Sequence, residues 1–502
     1  MARTETAAEH LDVLIIGAGI SGIAAARHLT RSCPGRSYTI LEARSASGGT
    51  WDLYRYPGVR SDSDIHTLGF AFKPWKGKRS LPDGDSILAY VREAAEESGI
   101  DRRIRFHHRV VGLEWSSEES RWEVEVERTD SGETVRLTAG FVWSCSGYFA
   151  YDDGYLPDFE GTERFTGRIA HPHRWPEDLE YAGKRVVVIG SGATAVSLVP
   201  ALAEKAEHVT MLQRSPSYLF PVPGVDPLGR ALRRFLPPRA AYSVMRWKDI
   251  LTGSFVFWFC RRFPELAKRV IRQAAERSLP ADFDFEKHLS PRYNPWEQRP
   301  CALRDGDLYE AISDGRVEIV TDTIETFTES GLRLGSGAEL EADVIVTATG
   351  FNLQYLGGVR PVVDGEEVDI ANVLTYKGMM ASGVPNLAFT VGYTNASWTL
   401  KVELTCAFVC RLLNHMDANG LAEAVPVVDD PTIQREPIID FSSGYVQRSL
   451  DRLPKQGSRE PWRLHQNYLL DSRMIRRGPI EDGALRFTSA ARERRPAEAV
   501  AG

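Results

Sequence analysis

The hydrophobic residues of the chain are grouped in short runs, and two of these runs lead into glycine-rich turns. Residues 12–22 read DVLIIGAGISG, and residues 183–199 read GKRVVVIGSGATAVSLV. In both, a β-type run enters the turn, a helical pattern follows, and a second apolar run comes next (SYTILEA and HVTMLQRS, respectively). This order of elements predicts an α/β protein with two Rossmann-like dinucleotide-binding domains.

The first glycine turn has the spacing GxGxxG, at Gly17, Gly19 and Gly22. In this motif the first glycine permits the tight turn, and the second lets the backbone approach a pyrophosphate. The third allows close packing of helix and strand, and the start of the helix directs amide donors at the phosphates. Glu42 ends the next strand, twenty residues after Gly22, where a carboxylate accepts hydrogen bonds from a ribose diol. This combination indicates an FAD site.

After the second glycine turn, a basic residue stands at the position where the first unit has the acidic Glu42. Ala195 stands in the third glycine position, which is an accepted variant. Arg214 lies nineteen residues later, and its guanidinium would pair with a ribose 2′-phosphate, which favours NADPH over NADH. A solvated surface arginine is the alternative. The candidate NADP-binding residues of this unit are Gly190, Gly192, Thr194, Ala195, Arg214 and Ser215. A flavin site and an NADP site together predict hydride transfer from nicotinamide to flavin.

The remaining patterns divide the chain into domains. RWEVEVERT, TVRLTA and FVWSCSG read as three strands of a β-meander, and an aromatic, basic stretch interrupted by prolines reads as helical. The predicted parts are an FAD-binding domain at 11–150 and 351–488, a linker at 151–180, an NADP-binding domain at 181–350 with a helical insertion at about 228–290, and a disordered tail at 489–502.

Composition narrows the function classes. The 502 residues carry a net charge of −7 from 61 basic and 68 acidic side chains, with no long basic run, so we expect no nucleic-acid partner. The six cysteines are scattered without a CxxC pair, which predicts a reduced, cytoplasmic chain and argues against a disulfide reductase. Cys406 and Cys410 share a helical pattern, and a core position is favoured over a redox pair.

The helical insertion contains the strongest candidate for membrane contact. No apolar run approaches the ~18–20 residues of a spanning helix. The sequence SFVFWFCRRFPELAKRVIRQ is apolar and basic, which fits a helix lying on a membrane surface. We favour the other interpretation, a helical cap over the NADP-binding domain with a solvated basic face.

Residues 165–178, FTGRIAHPHRWPED, contain two histidines between the two nucleotide units. His171 and His173 have no cysteine or carboxylate cluster of ligand spacing around them, so no metal site is predicted.

The same segment carries a family resemblance. It matches the fingerprint of the Baeyer–Villiger monooxygenases, which are class B flavin monooxygenases, at Phe165, Gly167, His171, Trp175 and Pro176. A second pattern of that family is complete at Gly48, Gly49, Trp51, Tyr56, Pro57, Gly58 and Asp62. The segments RYPGVRSDSDIHTLGFAFKPW and SWTLK resemble the ethionamide-activating branch most. The resemblance spans nearly the whole chain and implies that Gly49, Thr50, Trp51 and Asp62 bind FAD.

The resemblance also implies a reaction. NADPH reduces FAD, O2 is captured as a C4a-peroxyflavin, and attack on a ketone gives an ester or lactone; thioethers can be oxygenated as well. Arg299 matches the catalytic arginine of the family and Asp62 its partner carboxylate. Without the resemblance, a structural ion pair and a turn residue are the plain interpretations of the two. Gln298 stands where many relatives have a lysine at the 2′-phosphate, so NADPH selectivity would rest more on Arg214 and Ser215.

Several alternatives stay open at this stage. A relative that oxygenates sulfur or nitrogen would use the same cofactors, and a catalytically silent flavin-binding protein is a third possibility. His171 and Trp175 are expected to set the domain arrangement during the cycle, and His173 is interpreted as a plain linker residue. Trp398 and Phe351 are candidates for the substrate pocket, with a core role equally compatible with the sequence.

Overall fold

The computed structural model describes residues 8–489, which form α/β structure whose two largest sheets, of eleven and five strands, both contain parallel strands. The strands of the first third are β1 (Glu9–Ile16), β2 (Tyr38–Leu41), β3 (Ile104–Arg105), β4 (His108–Ser116), β5 (Arg121–Arg128), β6 (Thr134–Ser144), β7 (Phe149–Gly154) and β8 (Arg168–Ala170). The strands of the middle are β9 (Arg185–Ile189), β10 (His208–Gln213), β11 (Leu219–Val222), β12 (Cys301–Arg304), β13 (Val317–Thr321), β14 (Ile324–Thr328), β15 (Gly331–Leu334), β16 (Glu339–Glu341) and β17 (Val344–Thr347). The last strands are β18 (Phe351–Leu353), β19 (Pro361–Val363), β20 (Glu366–Glu367), β21 (Thr375–Tyr376), β22 (Met380–Ala381), β23 (Leu387–Phe389), β24 (Leu421–Pro426), β25 (Arg435–Pro437), β26 (Lys455–Gly457) and β27 (Leu485–Ser489).

The helices lie between these strands and vary from one turn to seven. They are α1 (Ile20–Ser32), α2 (Thr50–Leu53), α3 (Ile65–Leu68), α4 (Gly84–Glu97), α5 (Ala193–Leu202), α6 (Pro227–Phe235), α7 (Pro238–Arg262), α8 (Pro264–Glu276), α9 (Phe285–Leu289), α10 (Asp307–Ser313), α11 (Trp398–Asn419), α12 (Gly444–Gln447) and α13 (Tyr468–Ser472). A π-helical turn, Arg473–Arg477, follows α13 directly.

The first sheet has the strand order β20-β19-β4-β5-β6-β1-β2-β3. β1 lies between β2 and β6 and pairs with both in parallel, and its second half is buried because both faces of a parallel sheet are covered. β5 alternates buried and exposed residues, as an antiparallel strand with one solvated face does. The predicted strands TVRLTA and FVWSCSG are in fact one strand, β6, because its ladder with β1 continues on both sides of Gly140.

The second sheet has the order β13-β10-β9-β17-β8, with all strands parallel. α5 follows β9 and supplies the helix of the second nucleotide unit. The predicted fold class, an α/β protein with two Rossmann-like domains, is confirmed. β8 lies within the segment that we expected to be a linker, and it forms the edge of this sheet. The domain boundaries themselves stay a prediction.

The chain passes between the two sheets twice, and the two passages lie side by side. β7 leaves the first sheet and β18 returns, and they pair antiparallel. The Tyr155 N–H donates to the Gly350 carbonyl at 3.1 Å, and the rings of Phe149 and Phe351 have centroids 4.6 Å apart. This two-strand ribbon connects the flavin side of the molecule to the NADP side.

The predicted insertion is helical, but its placement differs from a cap over the NADP-binding domain alone. α7 packs on the flavin side, where the Arg246 guanidinium donates to the His66 carbonyl at 2.6 Å and to a Glu403 oxygen at 2.8 Å. Ala275 of α8 lies in the core around the second sheet. Arg246 is thus buried beside a carboxylate that is distant in the sequence, whereas Arg261, Arg262 and Arg269 are exposed, as the predicted solvated basic face requires. None of the helices within residues 8–489 is long and apolar enough to cross a membrane.

The long helix α11 lies in the core of the flavin side. Cys406 and Cys410 are both buried on it, which confirms their predicted core position. Of the predicted disordered tail, Ser489 is the last residue of β27, and residues 490–502 lie outside the described residues.

Candidate active site between two nucleotide units

The first glycine turn has the tight geometry that its sequence predicts. Gly17 follows β1 with a φ of +98°, and a Cβ there would lie 2.8 Å from the Cys145 carbonyl oxygen. A Cβ on Gly22 would lie 1.9 Å from the Gly17 carbonyl oxygen. Neither position admits a side chain without displacing backbone, so both glycines are required to bring α1 against the sheet.

A cavity of about 380 Å³ opens beside this turn. Its lining includes most of the residues predicted for the flavin site and its chemistry, namely Gly17, Gly19, Glu42, Gly49, Thr50, Trp51, Asp62, Arg299 and Trp398. They come from separate stretches of the chain, and the cavity brings them together. Gly22 is not part of the lining because it lies under the turn.

Glu42 is fixed at the edge of the cavity by backbone donors. One carboxylate oxygen accepts from the Ala18 N–H at 2.8 Å and the other from the Arg44 N–H at 3.0 Å. Burial raises the pKa of Glu42, while these two amides and the Arg44 charge oppose that shift. Each carboxylate oxygen has a further lone pair, so the side chain has acceptor capacity left for a ribose hydroxyl.

The loop at Gly49 closes against the first glycine turn. Gly49 has a φ of +56°, and a Cβ there would lie 3.0 Å from the Gly19 Cα. The hydroxyls of Thr50 and Tyr151 lie 3.3 Å apart at this point. Burial raises the pKa of Tyr151 to about 12, so its hydroxyl is neutral at working pH. The glycine backbones at Gly19 and Gly49 and the two neutral hydroxyls leave room and hydrogen-bond donors for a diphosphate at this point.

Arg299 and Asp62 form an ion pair at the cavity. The guanidinium Nε lies 3.1 Å from Asp62 Oδ2, and Nη2 donates to Oδ1 at 3.3 Å. A third donor, Nη1, reaches the Thr394 carbonyl at 3.2 Å. Burial opposes the charge, but Asp62 and nearby Tyr148 raise the pKa of Arg299. The result is a permanent cation, held in place on two sides, whose remaining N–H groups are available to an anionic oxygen.

An aromatic wall lines the same cavity. The rings of Trp398 and Tyr148 are stacked, with centroids 5.0 Å apart and planes 14° from parallel. The Trp398 indole N–H donates to Ser21 Oγ at 2.8 Å. Phe351, the other candidate for the pocket, packs on Phe149 in the two-strand ribbon and is not among the lining residues. Sequence reasoning missed Tyr148 and Tyr151, although both follow the carboxyl end of β6, where parallel sheets place ligands.

Lys401 lies three residues after Trp398 and is fully buried. Its ammonium group donates to the Lys377 carbonyl at 2.7 Å. Burial lowers the pKa of Lys401 to about 8; Asp471 opposes that shift, and the Lys377 charge adds to it. The lysine of the SWTLK segment is therefore a core residue of α11 and does not line the cavity.

The second glycine turn repeats the geometry of the first. Gly190 has a φ of +137°, and a Cβ there would lie 2.3 Å from the Ala348 carbonyl oxygen. A Cβ on Gly192 would meet no atom of the described residues within 4 Å, so this side of the turn is open to a ligand. The Ala195 methyl is fully buried, which explains why alanine is tolerated there. Thr194 lies beside it in the first turn of α5.

The residues predicted at the 2′-phosphate lie at the end of β10. Arg214 and Ser215 are both exposed. Ser191 Oγ donates to the Ser215 carbonyl at 3.1 Å, which joins their loop to the glycine turn. Gln298 donates to Ser442 Oγ at 3.3 Å, so the structure ties it to the return segment of the flavin side. The NADP roles of these residues stay predictions.

Four of the five fingerprint residues, Phe165, Gly167, His171 and Trp175, lie along the second sheet and the ribbon. Phe165 packs edge-on against Phe327, and a Cβ on Gly167 would lie 2.4 Å from the Asp343 carbonyl oxygen. The His171 ring covers Gly154, the last residue of β7, and Trp175 packs on the second core.

His173 is not the plain linker residue that we expected, because it is buried and bonded on both nitrogens. Its Nε2 donates to the Tyr151 carbonyl at 2.9 Å, and Nδ1 accepts from the Tyr54 hydroxyl at 3.4 Å. Its own N–H donates to His171 Nδ1 at 3.1 Å. Burial lowers the pKa of His171, although a backbone contact from Tyr155 opposes this. The pair of histidines thus connects the ribbon to the wall of the cavity.

The second family pattern joins the cavity to the second nucleotide unit. Gly58 has a φ of +79°, and a Cβ there would lie 2.3 Å from the Ser197 carbonyl oxygen of α5. Tyr56 is buried in the core around the second sheet, while Asp62, four residues after Gly58, lies at the cavity. The segment therefore fixes the distance between α5 and the Asp62–Arg299 pair.

Two Rossmann-like units, a cavity at the first and a fixed guanidinium inside it define a flavin-dependent oxidoreductase with a nicotinamide-binding unit. Residues 80–394 match the family model of the flavin-binding monooxygenase-like proteins, and residues 15–76 match an NAD(P)-binding Rossmann-like domain. The chain belongs to the flavin-binding monooxygenase-like family.

Similar proteins cover nearly the whole chain. The FAD-containing monooxygenase EthA of Mycobacterium tuberculosis is 55% identical over 95% of this chain and 98% of its own length. EthA of Mycolicibacterium smegmatis is 52% identical over 96% and 97%, respectively. A solved structure of oxidized steroid monooxygenase bound to NADP is 28% identical, with a TM-score of 0.69 over 83% of this chain and 88% of that one. The predicted resemblance is confirmed: the protein is an enzyme, an FAD-containing monooxygenase with an NADP(H)-binding domain, and FAD and NADPH are its cofactors.

Proposed function

We propose that the protein inserts an oxygen atom next to the carbonyl of a ketone, giving an ester or lactone, with NADPH and O2 as co-substrates. The observation that carries the proposal is the Arg299–Asp62 pair in the wall of the cavity that we assign to FAD. A Baeyer–Villiger reaction requires an anionic oxygen nucleophile beside the flavin, and a cation that cannot donate its proton stabilises that anion without quenching it.

FAD, when bound and reduced by NADPH, supplies the chemistry that activates O2. Gly17, Gly19 and Gly49 would hold its diphosphate, and Glu42 its ribose. Arg299 provides the fixed positive charge at the reacting end. Asp62 and the Thr394 carbonyl hold the guanidinium in one orientation, so little reorganisation is needed when negative charge develops.

The NADP unit would bind NADPH and hold it beside the cavity in this reaction. Arg214 and Ser215 would bind the 2′-phosphate, and the open side of Gly192 would take the diphosphate. The contact of Gly58 with α5 keeps this unit in register with the cavity. The His171–His173 link to Tyr151 would let the ribbon transmit a change in domain arrangement to the cavity wall.

Sulfoxidation of thioethers is the second candidate activity, and the aromatic wall favours it. The stacked Trp398 and Tyr148 rings present an apolar, polarisable surface in the cavity. Thioether sulfur makes favourable contacts with aromatic rings, and it needs no stabilised anion to accept an oxygen atom.

The test compares Arg299→Ala with Arg304→Ala, whose guanidinium is also partly buried and also paired with an aspartate, Asp83. With a panel of cyclic ketones and aryl thioethers, we expect Arg299→Ala to retain FAD and to lose ester formation by about a hundredfold or more. Arg304→Ala should form the ester at the wild-type rate. Products are measured by chromatography beside NADPH consumption.

Two results would contradict the proposal. One is ester formation by Arg299→Ala at the wild-type rate. The other is a wild-type enzyme that converts thioethers and leaves every ketone of the panel unchanged, which would make heteroatom oxygenation the sole activity.

A further inference from the structure

An exposed apolar stripe runs along the outer face of α7. Val244, Trp247, Leu251, Phe255 and Trp258 follow one another at spacings of three or four residues, and all of them are exposed. Phe255 keeps 59% and Trp258 53% of its surface in contact with solvent. A surface helix normally carries polar residues on this side. The opposite side of α7 already packs on the flavin core, so the helix is apolar on two faces.

The α7 stripe continues onto neighbouring elements. Trp258 packs edge-on against Phe263, which leads into α8, with centroids 5.8 Å apart. At the other end of the stripe, Trp247 contacts Tyr468 of α13 at 6.2 Å, and the next two residues, Leu469 and Leu470, are exposed as well. α13 is far from α7 in sequence, so two independent parts of the chain place exposed apolar side chains beside each other.

The same helices carry a strong positive charge. Residues 227–277 contain twelve basic and three acidic side chains, although the whole chain has a net charge of −7. Several of the arginines are exposed and form no salt bridge with any described residue; they include Arg234, Arg239, Arg261, Arg262 and Arg269. Beyond α13, Arg473, Arg476 and Arg477 are exposed too.

We propose that the α7 stripe and its arginines dock the enzyme on the surface of a bilayer that contains anionic lipid. Exposed aromatic and aliphatic side chains flanked by arginines are what an interfacial helix presents to headgroups and acyl chains. Tryptophan is favoured at that depth. Because no helix of the described residues can cross a membrane, the contact is peripheral.

The positive charge around the α7 stripe favours an anionic bilayer over a second copy of this chain as its partner. A symmetric dimer through the stripe would bring two strongly basic surfaces together, which is unfavourable, whereas anionic lipid neutralises them. Docking would also place the membrane near the reaction site. Phe257, on the flank of α7, contacts the ring of Trp296 at 5.4 Å, and Trp296 lies three residues before Arg299.

The test uses the full-length holoenzyme in flotation with vesicles of phosphatidylcholine alone and of phosphatidylcholine mixed with phosphatidylglycerol. We expect binding to the mixed vesicles and a blue shift of tryptophan emission that Trp258→Phe reduces. The double variant Leu251→Ser/Phe255→Ser should lower the partition coefficient roughly tenfold or more. Leu156→Ser is the matched control, since Leu156 is exposed outside this surface.

A second pair of variants tests the charge. Neutralising Arg261 and Arg262 to glutamine should weaken binding to the mixed vesicles by about fivefold for each residue. Arg360→Gln, an exposed arginine elsewhere, should have no effect. NADPH oxidation should be unchanged in all these variants, which shows that they fold.

Three results would overturn the proposal: no binding to the mixed vesicles, equal binding to both vesicle types, or unchanged binding of Leu251→Ser/Phe255→Ser. A concentration-dependent dimer in sedimentation velocity that this variant abolishes would also overturn it, because the stripe would then be covered by a second copy.

Discussion

Replacing Gly58 by alanine tests whether the family pattern before Asp62 sets the spacing of the two nucleotide units. The new Cβ would lie 2.3 Å from the Ser197 carbonyl oxygen and 2.7 Å from the Ala201 Cβ, where ordinary contacts are 3.4–4 Å. The loop and α5 must therefore separate by about an ångström. Overpacking of this kind and a non-glycine residue at φ +79° together should lower the free energy of unfolding by about 2–4 kcal/mol.

The control variant Gly99→Ala has the backbone strain of Gly58→Ala without its steric contact with α5. Gly99 has a φ of +66°, close to that of Gly58, and a Cβ there would meet no described atom within 4 Å. In this variant the free energy of unfolding should fall only by the cost of the backbone strain, about 1 kcal/mol. The difference between the two variants therefore measures the contact with α5.

The assay follows the temperature at which flavin fluorescence rises and the apparent KM for NADPH. Gly58→Ala should release flavin at a clearly lower temperature than Gly99→Ala, because α5 is displaced from the loop that leads to Asp62. It should also raise the KM for NADPH, since the glycine turn of the second unit moves with α5. If the two variants behave alike in both measurements, the contact does not set the spacing and the reasoning fails.

Three further predictions concern other parts of the molecule. Arg214→Ala should raise the apparent KM for NADPH about tenfold more than that for NADH in steady-state kinetics, and equal effects would rule out the 2′-phosphate contact. The pKa of Lys401, about 8, lies below its unfolded value of about 10.4, so the wild-type free energy of unfolding should rise by about 1.4 kcal/mol per pH unit between pH 8 and 10 as the buried charge is lost. Lys401→Met should remove that rise in urea titrations at paired pH values, and an identical rise in both proteins would contradict it. His171→Ala and His173→Phe should both make NADPH oxidation exceed product formation, and full coupling in both would refute the proposed link to Tyr151.

The two glycine turns could be predicted from the sequence because their geometry is local. A strand, a tight turn and a helix start within a few residues of one another, so Gly17, Gly22 and Gly190 carry their structural requirement in their spacing. The Arg299–Asp62 pair is different. The two residues are distant in the chain, and only a family resemblance could suggest that they meet.

The errors have a common physical cause, which is contact between segments distant in sequence. The packing of α7 on the flavin side could not be predicted because nothing near Arg246 in the chain reveals its contact with Glu403. His173 looked like a linker residue because its partners Tyr54 and Tyr151 come from other elements. TVRLTA and FVWSCSG were predicted as two strands, whereas the ladder with β1, which is distant in sequence, carries one strand, β6, through Gly140.

The ribbon of β7 and β18 makes the NADP unit an insert whose two ends coincide. Since Tyr155 and Gly350 are joined by a hydrogen bond, the chain enters and leaves the second unit at one point, and a short turn between them would reconnect the first unit as a hairpin. Such an insert can be exchanged for one that prefers another nicotinamide cofactor, provided that the new insert keeps Arg299 at the cavity, keeps the contacts of α7 with the flavin side and leaves room for Gly58.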